Sequence, residues 1–475
     1  MDAMINAENF PETEEIFSWI EDMASFGHRK TGTPQGLQSA EYLRDKFIAF
    51  GLEEVEIEDA KSVCMFVDKC DLTIDGEKIE TMFINGTNRR GEEGRFSAGE
   101  DGTQRELIYL GKGLEEDFEG ADIEGKIVMC DICFRTLPID RIAAEVGEEM
   151  IYDKEGRLKA GEPILDIYTP NTWPDNYFRA QQRGAAGFIG VLQDYVDDPY
   201  WYSEDYTFYG EMEGIPFMEL PGMLVSKSTA AKIAEKLKTS DAVYAKMEMV
   251  SRYEYKNAHN VKGILKGESD EIVLIHSHHD AVFAGGVQDA SGMSQILALA
   301  KYFGNPANKK SSRTYMFAAL DTHFTDYGGH EGFIAKRQEN RDRIVYDFAV
   351  EHIGREVVIR DGRFVETGEG VAKLLYVSSE PDDPGLVEAA LAGLKKYDID
   401  KTIVIPVVHK DGDPDPDDLT HVMTDAYMFE AMKIKVVSML SSPPYLYHPS
   451  DTPERVMKEW LQPVAMMYAE IIESV

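Results

Sequence analysis

One stretch constrains this chain more than any other: Glu271-Ile-Val-Leu-Ile-His-Ser-His-His-Asp280, followed by Gln288-Asp-Ala-Ser-Gly292. The apolar run Ile272 to Ile275 reads as a buried strand. It ends in a cluster of imidazoles and carboxylates. A second carboxylate, Asp289, then opens a periodic helix whose Met293, Ile296, Leu297 and Ala300 share one face. Open α/β sheets place their sites at the carboxyl ends of strands, next to the helices that follow. His278 and Asp280 spaced His-x-Asp, with Asp289 and a small-residue turn beyond, point to a hydrolytic metal centre.

The same alternation runs to the end of the chain. Strands are expected at Val273–Ile275, Tyr315–Leu320, Asp347–Ile353, Leu374–Val377, Ile403–Val408 and Val436–Leu440. Helices are expected at Ser291–Tyr302, His330–Gln338, Pro384–Lys396, Ala426–Lys433 and Val456–Ser474. This predicts an α/β fold with a mixed, mostly parallel sheet sandwiched by helices. Two amphipathic helices and a short strand at Val55–Ile57 precede it. Between residues 61 and 254 the texture changes to short strand-like runs among Gly, Asp and Glu loops, and 475 residues exceed one ordinary core. Tyr195 to Phe217 is acidic and aromatic, with Tyr206, Phe208 and Tyr209 among its rings; it reads as a surface loop or as a lid over a pocket.

A formal charge of -37 disfavours nucleic acid and anionic membrane as partners. No run reaches transmembrane length and no signal peptide is read at Met1, so the expected location is cytoplasmic. Cys130 and Cys133 share a strand-like run, where i and i+3 face opposite sides; with Cys64 and Cys70 they are expected to be free thiols rather than a structural zinc site.

Five motifs in order resemble the zinc aminopeptidases of the aminopeptidase Y and glutamate carboxypeptidase type, clan MH. They are Arg29-Lys-Thr-Gly-Thr-Pro34, Asn260-Val-Lys-Gly-Ile-Leu-Lys-Gly267, His278-His-Asp280, Asp289-Ala-Ser-Gly292 and Tyr447-His-Pro-Ser-Asp-Thr-Pro453. Gly125-Lys-Ile-Val, Arg183-Gly-Ala-Ala-Gly-Phe-Ile-Gly and Gly214-Ile-Pro-Phe look like an inserted protease-associated domain, β-rich in character. The resemblance implies a discontinuous catalytic domain, 1–60 and 255–475, around an insert at 61–254. It also implies that His278 binds metal with Asp280 orienting it, that Asp289 bridges to a second metal position, and that Glu351 and His448 are further ligands.

One motif departs from the pattern. Where that family carries a Glu-Glu pair, Arg313 to Gly329 aligns His323 with the general base and Phe324 with a ligand. Phenylalanine binds no metal. Asp289 and Glu351 then balance about one divalent ion. A single zinc with an open water position is therefore favoured. Two ions would require Asp326, His330 or Glu331 to replace the lost carboxylate, and iron or manganese suits the same ligand types. His323 is open to two roles, base or ligand, with Asp321 or Asp326 as base in the second case.

The expected activity is hydrolysis of an amide or peptide bond in a small substrate by metal-activated water. Two other readings stand beside it: a metalloenzyme of this fold acting on a non-peptide substrate, and a catalytically silent binding protein. Homodimerisation is left open. The acidic stretch Asp411 to Asp418 reads as a solvated loop or a calcium site. His279, His352 and His409 are not assigned as ligands, and Asp425 is given no catalytic role.

Overall fold

The computed structural model describes residues 5–158, 164–168, 170–203, 217–308, 311–380, 385–408 and 422–475. Tyr206, Phe208, Tyr209, His409 and the stretch 411–418 lie outside the described residues.

The central sheet runs in the order Thr402–Val407, Lys373–Ser378, Lys435–Ser441, Arg343–Val350, Glu271–His278, Thr314–Leu320, Tyr244–Leu265. Two pairs are antiparallel: Lys373–Ser378 with Lys435–Ser441, and Tyr244–Leu265 with Thr314–Leu320. The other neighbours are parallel. The expected mixed, mostly parallel α/β sheet is the observed one. Its central strands are buried on both faces, as crossover helices require.

Each face is covered for a visible reason. The helix Ala290–Gly304 is buried nearly throughout, because the helices Thr13–Ser25 and Lys458–Ser474 pack on its outer side. On the opposite face, Phe333 and Phe429 join Leu274, Met316 and Ala318 in a second apolar cluster.

The sequence understated one element. The expected short strand at Val55–Ile57 is part of a 22-residue strand, Glu53–Ile74, paired antiparallel with the equally long Tyr244–Leu265. The expected domain limits, 60/61 and 254/255, fall within these two strands. The ribbon carries the chain into a second parallel set, Arg105–Tyr109, Ile127–Ile132, Gly187–Leu192 and Gly222–Ser226. The helices Asp175–Gln182 and Lys227–Thr239 accompany it. A hairpin, Arg355–Arg360 with Arg363–Gly370, was also not read from the sequence.

The segment between the two long ribbon strands reaches back toward the sheet. Tyr195 Oη donates to the Pro444 carbonyl (2.6 Å), and Tyr202 N–H donates to the Tyr447 carbonyl (2.8 Å). All four cysteines are free. No helix among the described residues is long and apolar enough to cross a membrane.

Candidate metal centre

Three strands end at one place. His278 is the last residue of Glu271–His278, His323 follows Thr314–Leu320, and Glu351 follows Arg343–Val350 directly. Asp425 enters just before the short helix Tyr427–Ala431. All four are buried. This is the carboxyl edge of the parallel strands, where such sheets hold ligands.

The loop below the site is held from the N-terminus. Arg29 is fully buried and donates to the carbonyls of Met23 (3.0 Å), His279 (3.1 Å), Ala284 (2.7 Å) and Gly285 (3.0 Å). Four backbone acceptors would otherwise be left bare, which explains an arginine at the start of the 29–34 motif. Burial lowers its pKa to about 10. From the other side, Asp451 accepts from the N–H groups of Val287 (2.8 Å) and Gln288 (2.9 Å).

His278 is backed by Asp280. Its Nδ1 lies 3.0 Å from the Asp280 carbonyl oxygen and 3.3 Å from Asp280 Oδ1. With Nδ1–H donating there, Nε2 is left as the lone-pair nitrogen. Asp280 also accepts from the backbone N–H of His323 (3.2 Å) and Phe324 (3.0 Å), so it ties the strand end to the loop after Thr314–Leu320. Burial opposes its ionisation, but His278 and His323 outweigh that and hold its pKa at about 2. Burial and the neighbouring His323 lower the pKa of His278.

His323 stacks on His278 with ring centroids 4.1 Å apart and planes 7° from parallel. Its Nδ1 lies 3.0 Å from Asp425 Oδ1. The other carboxylate oxygen, Oδ2, lies 3.0 Å from His330 Nε2, while His330 Nδ1 faces the Asp321 carbonyl at 3.0 Å. Both His330 nitrogens thus face oxygen atoms. Burial would raise the pKa of Asp425, yet His323 and His330 hold it well below the ordinary value. Asp425 is thus a fixed anion between two imidazoles.

Glu351 differs. Its Oε1 accepts from Asp425 N–H (3.0 Å), and no cationic side chain pairs with it among the described residues. Burial first, then the anions Asp425 and Asp289, push its pKa well above the usual carboxylate range. A carboxylate in that state favours a bound cation.

Asp289 and His448 do not join these groups. Asp289 caps the helix Ala290–Gly304: its Oδ1 accepts from Gly292 N–H (3.1 Å) and His352 N–H (3.1 Å), and its Oδ2 from the Ser277 hydroxyl. Its neighbour Gln288 faces the site instead, with Nε2 3.4 Å from His278 Nε2. A neutral amide therefore stands where the sequence placed a bridging carboxylate. His448 has Nδ1 on Ser450 Oγ (2.8 Å) and Nε2 on Asp198 Oδ2 (3.0 Å), so both nitrogens are engaged away from His278. The Phe324 ring is buried against His323, Tyr447, His278 and Tyr202.

Two groups of ligand atoms, each within 4.8 Å of one another, share His278: one with His323 and Asp425, the other with Glu351 and His352. His352 and Asp425 were missed in the sequence. His352 follows a ligand-type residue directly, and on a regular strand that means the opposite face. At φ 60° it leaves the strand, so the alternation fails. The Gly354 that follows was the available sign of a turn.

The sequence model of Peptidase family M28 matches residues 260–472. A probable glutamate carboxypeptidase from Arthroderma benhamiae is 28% identical over 275 residues, 49% of this chain and 37% of that protein. The chain thus spans well under half the length of that relative. A zinc aminopeptidase from Bacillus subtilis superposes with a TM-score of 0.65 at 15% identity, over 98% of this chain and 96% of that one. An M28 peptidase precursor from Shewanella amazonensis SB2B gives 0.65 at 15%, over 97% and 95%. An aminopeptidase from Aneurinibacillus sp. strain AM-1 gives 0.60 at 18%, over 97% and 93%. At these identities the three structures establish the shared fold.

Proposed function

We propose that this chain, a metallohydrolase with a Peptidase family M28 domain over residues 260–472, uses one divalent ion, zinc in the first instance, to hydrolyse an amide or peptide bond in a small substrate. The observation that carries the reading is the buried meeting of His278 with Glu351, a carboxylate without a cationic partner among the described residues. The donor set fits such an ion: an imidazole nitrogen with its other nitrogen hydrogen-bonded, and a buried carboxyl that would give up its proton to a bound cation. When bound, the ion supplies Lewis acidity that polarises the scissile carbonyl and acidifies water.

The chain's own residues supply the rest. Asp280 fixes the ring of His278. Asp425 fixes His323 with Nδ1–H toward its carboxylate, which makes Nε2 the basic nitrogen. In this reading His323 takes a proton from water and returns it to the leaving amine. His330 Nε2 lies on the other oxygen of the same carboxylate and so holds Asp425 in place behind His323. Phe324 and Gln288 provide no anion, which argues for one ion rather than two.

The test is turnover of aminoacyl anilides and dipeptides by the zinc-loaded chain, against Glu351→Gln. Activity that needs zinc and disappears in the variant is expected. A zinc-loaded wild-type chain that cleaves none of them contradicts the reading.

A further inference from the structure

We infer that His352 is a metal ligand, completing with His278 and Glu351 a two-histidine, one-carboxylate site for a single divalent ion. This rests on the metallohydrolase reading above and names the third ligand that it leaves open.

The first argument is hydrogen-bond accounting. His352 is buried, and its Nδ1 lies 2.7 Å from the Ser441 carbonyl oxygen, with Tyr168 Oη beside it at 3.4 Å. Nδ1–H donation to the carbonyl turns Nε2 into a lone-pair nitrogen. That nitrogen has no hydrogen-bond partner among the described residues. Buried polar atoms are rarely left so, and an ion is one of the few things that can satisfy such a nitrogen. His278 is arranged alike, with its Nδ1 backed by the Asp280 carbonyl. An imidazole whose other nitrogen meets a carbonyl is the usual form of a ligating histidine.

The second argument is the backbone. His352 has φ 60°, in the left-handed region that non-glycine residues seldom occupy. That conformation brings consecutive residues, Glu351 and His352, to one centre instead of opposite faces. The backbone is held there: His352 N–H donates to Asp289 Oδ1 (3.1 Å), and Ser441 Oγ donates to the His352 carbonyl (2.5 Å). Asp289 thus positions a ligand without being one.

In the competing group, His278 with His323 and Asp425, the carboxylate is already engaged. Both Asp425 oxygens are engaged by imidazoles, one from His323 and one from His330. The group of His278, Glu351 and His352 instead holds the carboxylate that no cationic side chain engages among the described residues, and two nitrogens with one carboxylate suit zinc.

The test uses the full chain stripped of metal, titrated with zinc and separately with cobalt(II). His352→Asn retains a side chain tolerant of the left-handed conformation. Loss of an outer-shell partner costs roughly 10–100-fold in metal affinity, so loss of a direct ligand should cost at least about 100-fold. The cobalt d–d spectrum should shift as well. Circular dichroism and thermal unfolding without metal establish that the variant is folded. His323→Ala should still take up one zinc per chain. The inference is overturned if His352→Asn binds zinc like the wild type with an unchanged cobalt spectrum, or if His323→Ala, and not His352→Asn, loses the ion. A wild-type chain that binds zinc through His352 but cleaves no amide would sink the hydrolase reading and leave the ligand assignment standing.

Discussion

Replacing Asp425 by alanine should destabilise the chain strongly even though no apolar contact is lost. The carboxylate makes two contacts at 3.0 Å, to His323 Nδ1 and His330 Nε2, among partners that are all buried. A hydrogen bond to a charged group contributes about 1.5–3 kcal/mol net, so two give about 3–6. Removing the carboxylate also relieves its own desolvation, which trims the figure. What remains are two buried imidazole nitrogens, on His323 and His330, without their acceptor, and leaving a buried polar group unpaired costs about 1–3 kcal/mol each. The asparagine variant should fall between, because an amide can donate to a neutral His330 and accept from His323. The assay is urea unfolding followed by tryptophan fluorescence at pH 7, without metal and with equal slopes required across the variants. The sign with pH follows from the depressed pKa of Asp425. Its stabilisation is present above the unfolded carboxylate pKa near ~3.9 and is lost as pH falls through the lower folded value. The alanine variant should therefore lie closest to wild type in strong acid. A loss under about 1 kcal/mol at pH 7 would refute the fixed anion between two rings.

Three further outcomes are expected. Asp289→Ala removes a helix cap and leaves the Ser277 hydroxyl without its acceptor, for a loss of about 2–4 kcal/mol in urea unfolding; because Asp289 also holds His352, zinc affinity should weaken but stoichiometry should stay at one ion per chain. Burial raises the pKa of Asp451 to about 7, so the folded state holds its proton more tightly, and its contribution is full below about pH 4 and lost as pH rises through 7. The difference between wild type and Asp451→Asn should change across that window in unfolding measurements, and a constant difference would refute the assignment. Phe324→Glu places a carboxylate among the rings of Tyr202, Tyr447 and His323, and should cost several kcal/mol without metal by calorimetry; an unperturbed melting temperature would show that the pocket is wet.

The fold was largely legible because hydrophobic period is a strong signal. Runs such as Ile272 to Ile275 and the helical face Met293, Ile296, Leu297 and Ala300 needed no tertiary context. The 22-residue ribbon was not legible, since Glu53–Ile74 is polar on much of its length and is held by pairing rather than by burial pattern. At the site, residue types were readable but facing was not. Sequence marked the carboxylate of Asp289 and passed over Gln288, although the chain turns the amide inward and uses the acid as a helix cap. It marked Glu351 and left His352 unassigned, and nothing local shows that one left-handed residue turns the two toward the same centre. Asp425 comes from a short helix with no periodicity of its own, and only the fold brings it to His323. His448 is drawn off by Asp198, a residue distant in sequence, and no local pattern foretells such a contact.

The most direct measurement is calorimetric titration of zinc into the metal-stripped full chain, repeated with His278→Ala and Glu351→Gln. One tight site per chain, absent in both variants, is the predicted result. Two equivalents of tight binding in the wild type, or binding that survives both substitutions, would contradict the account.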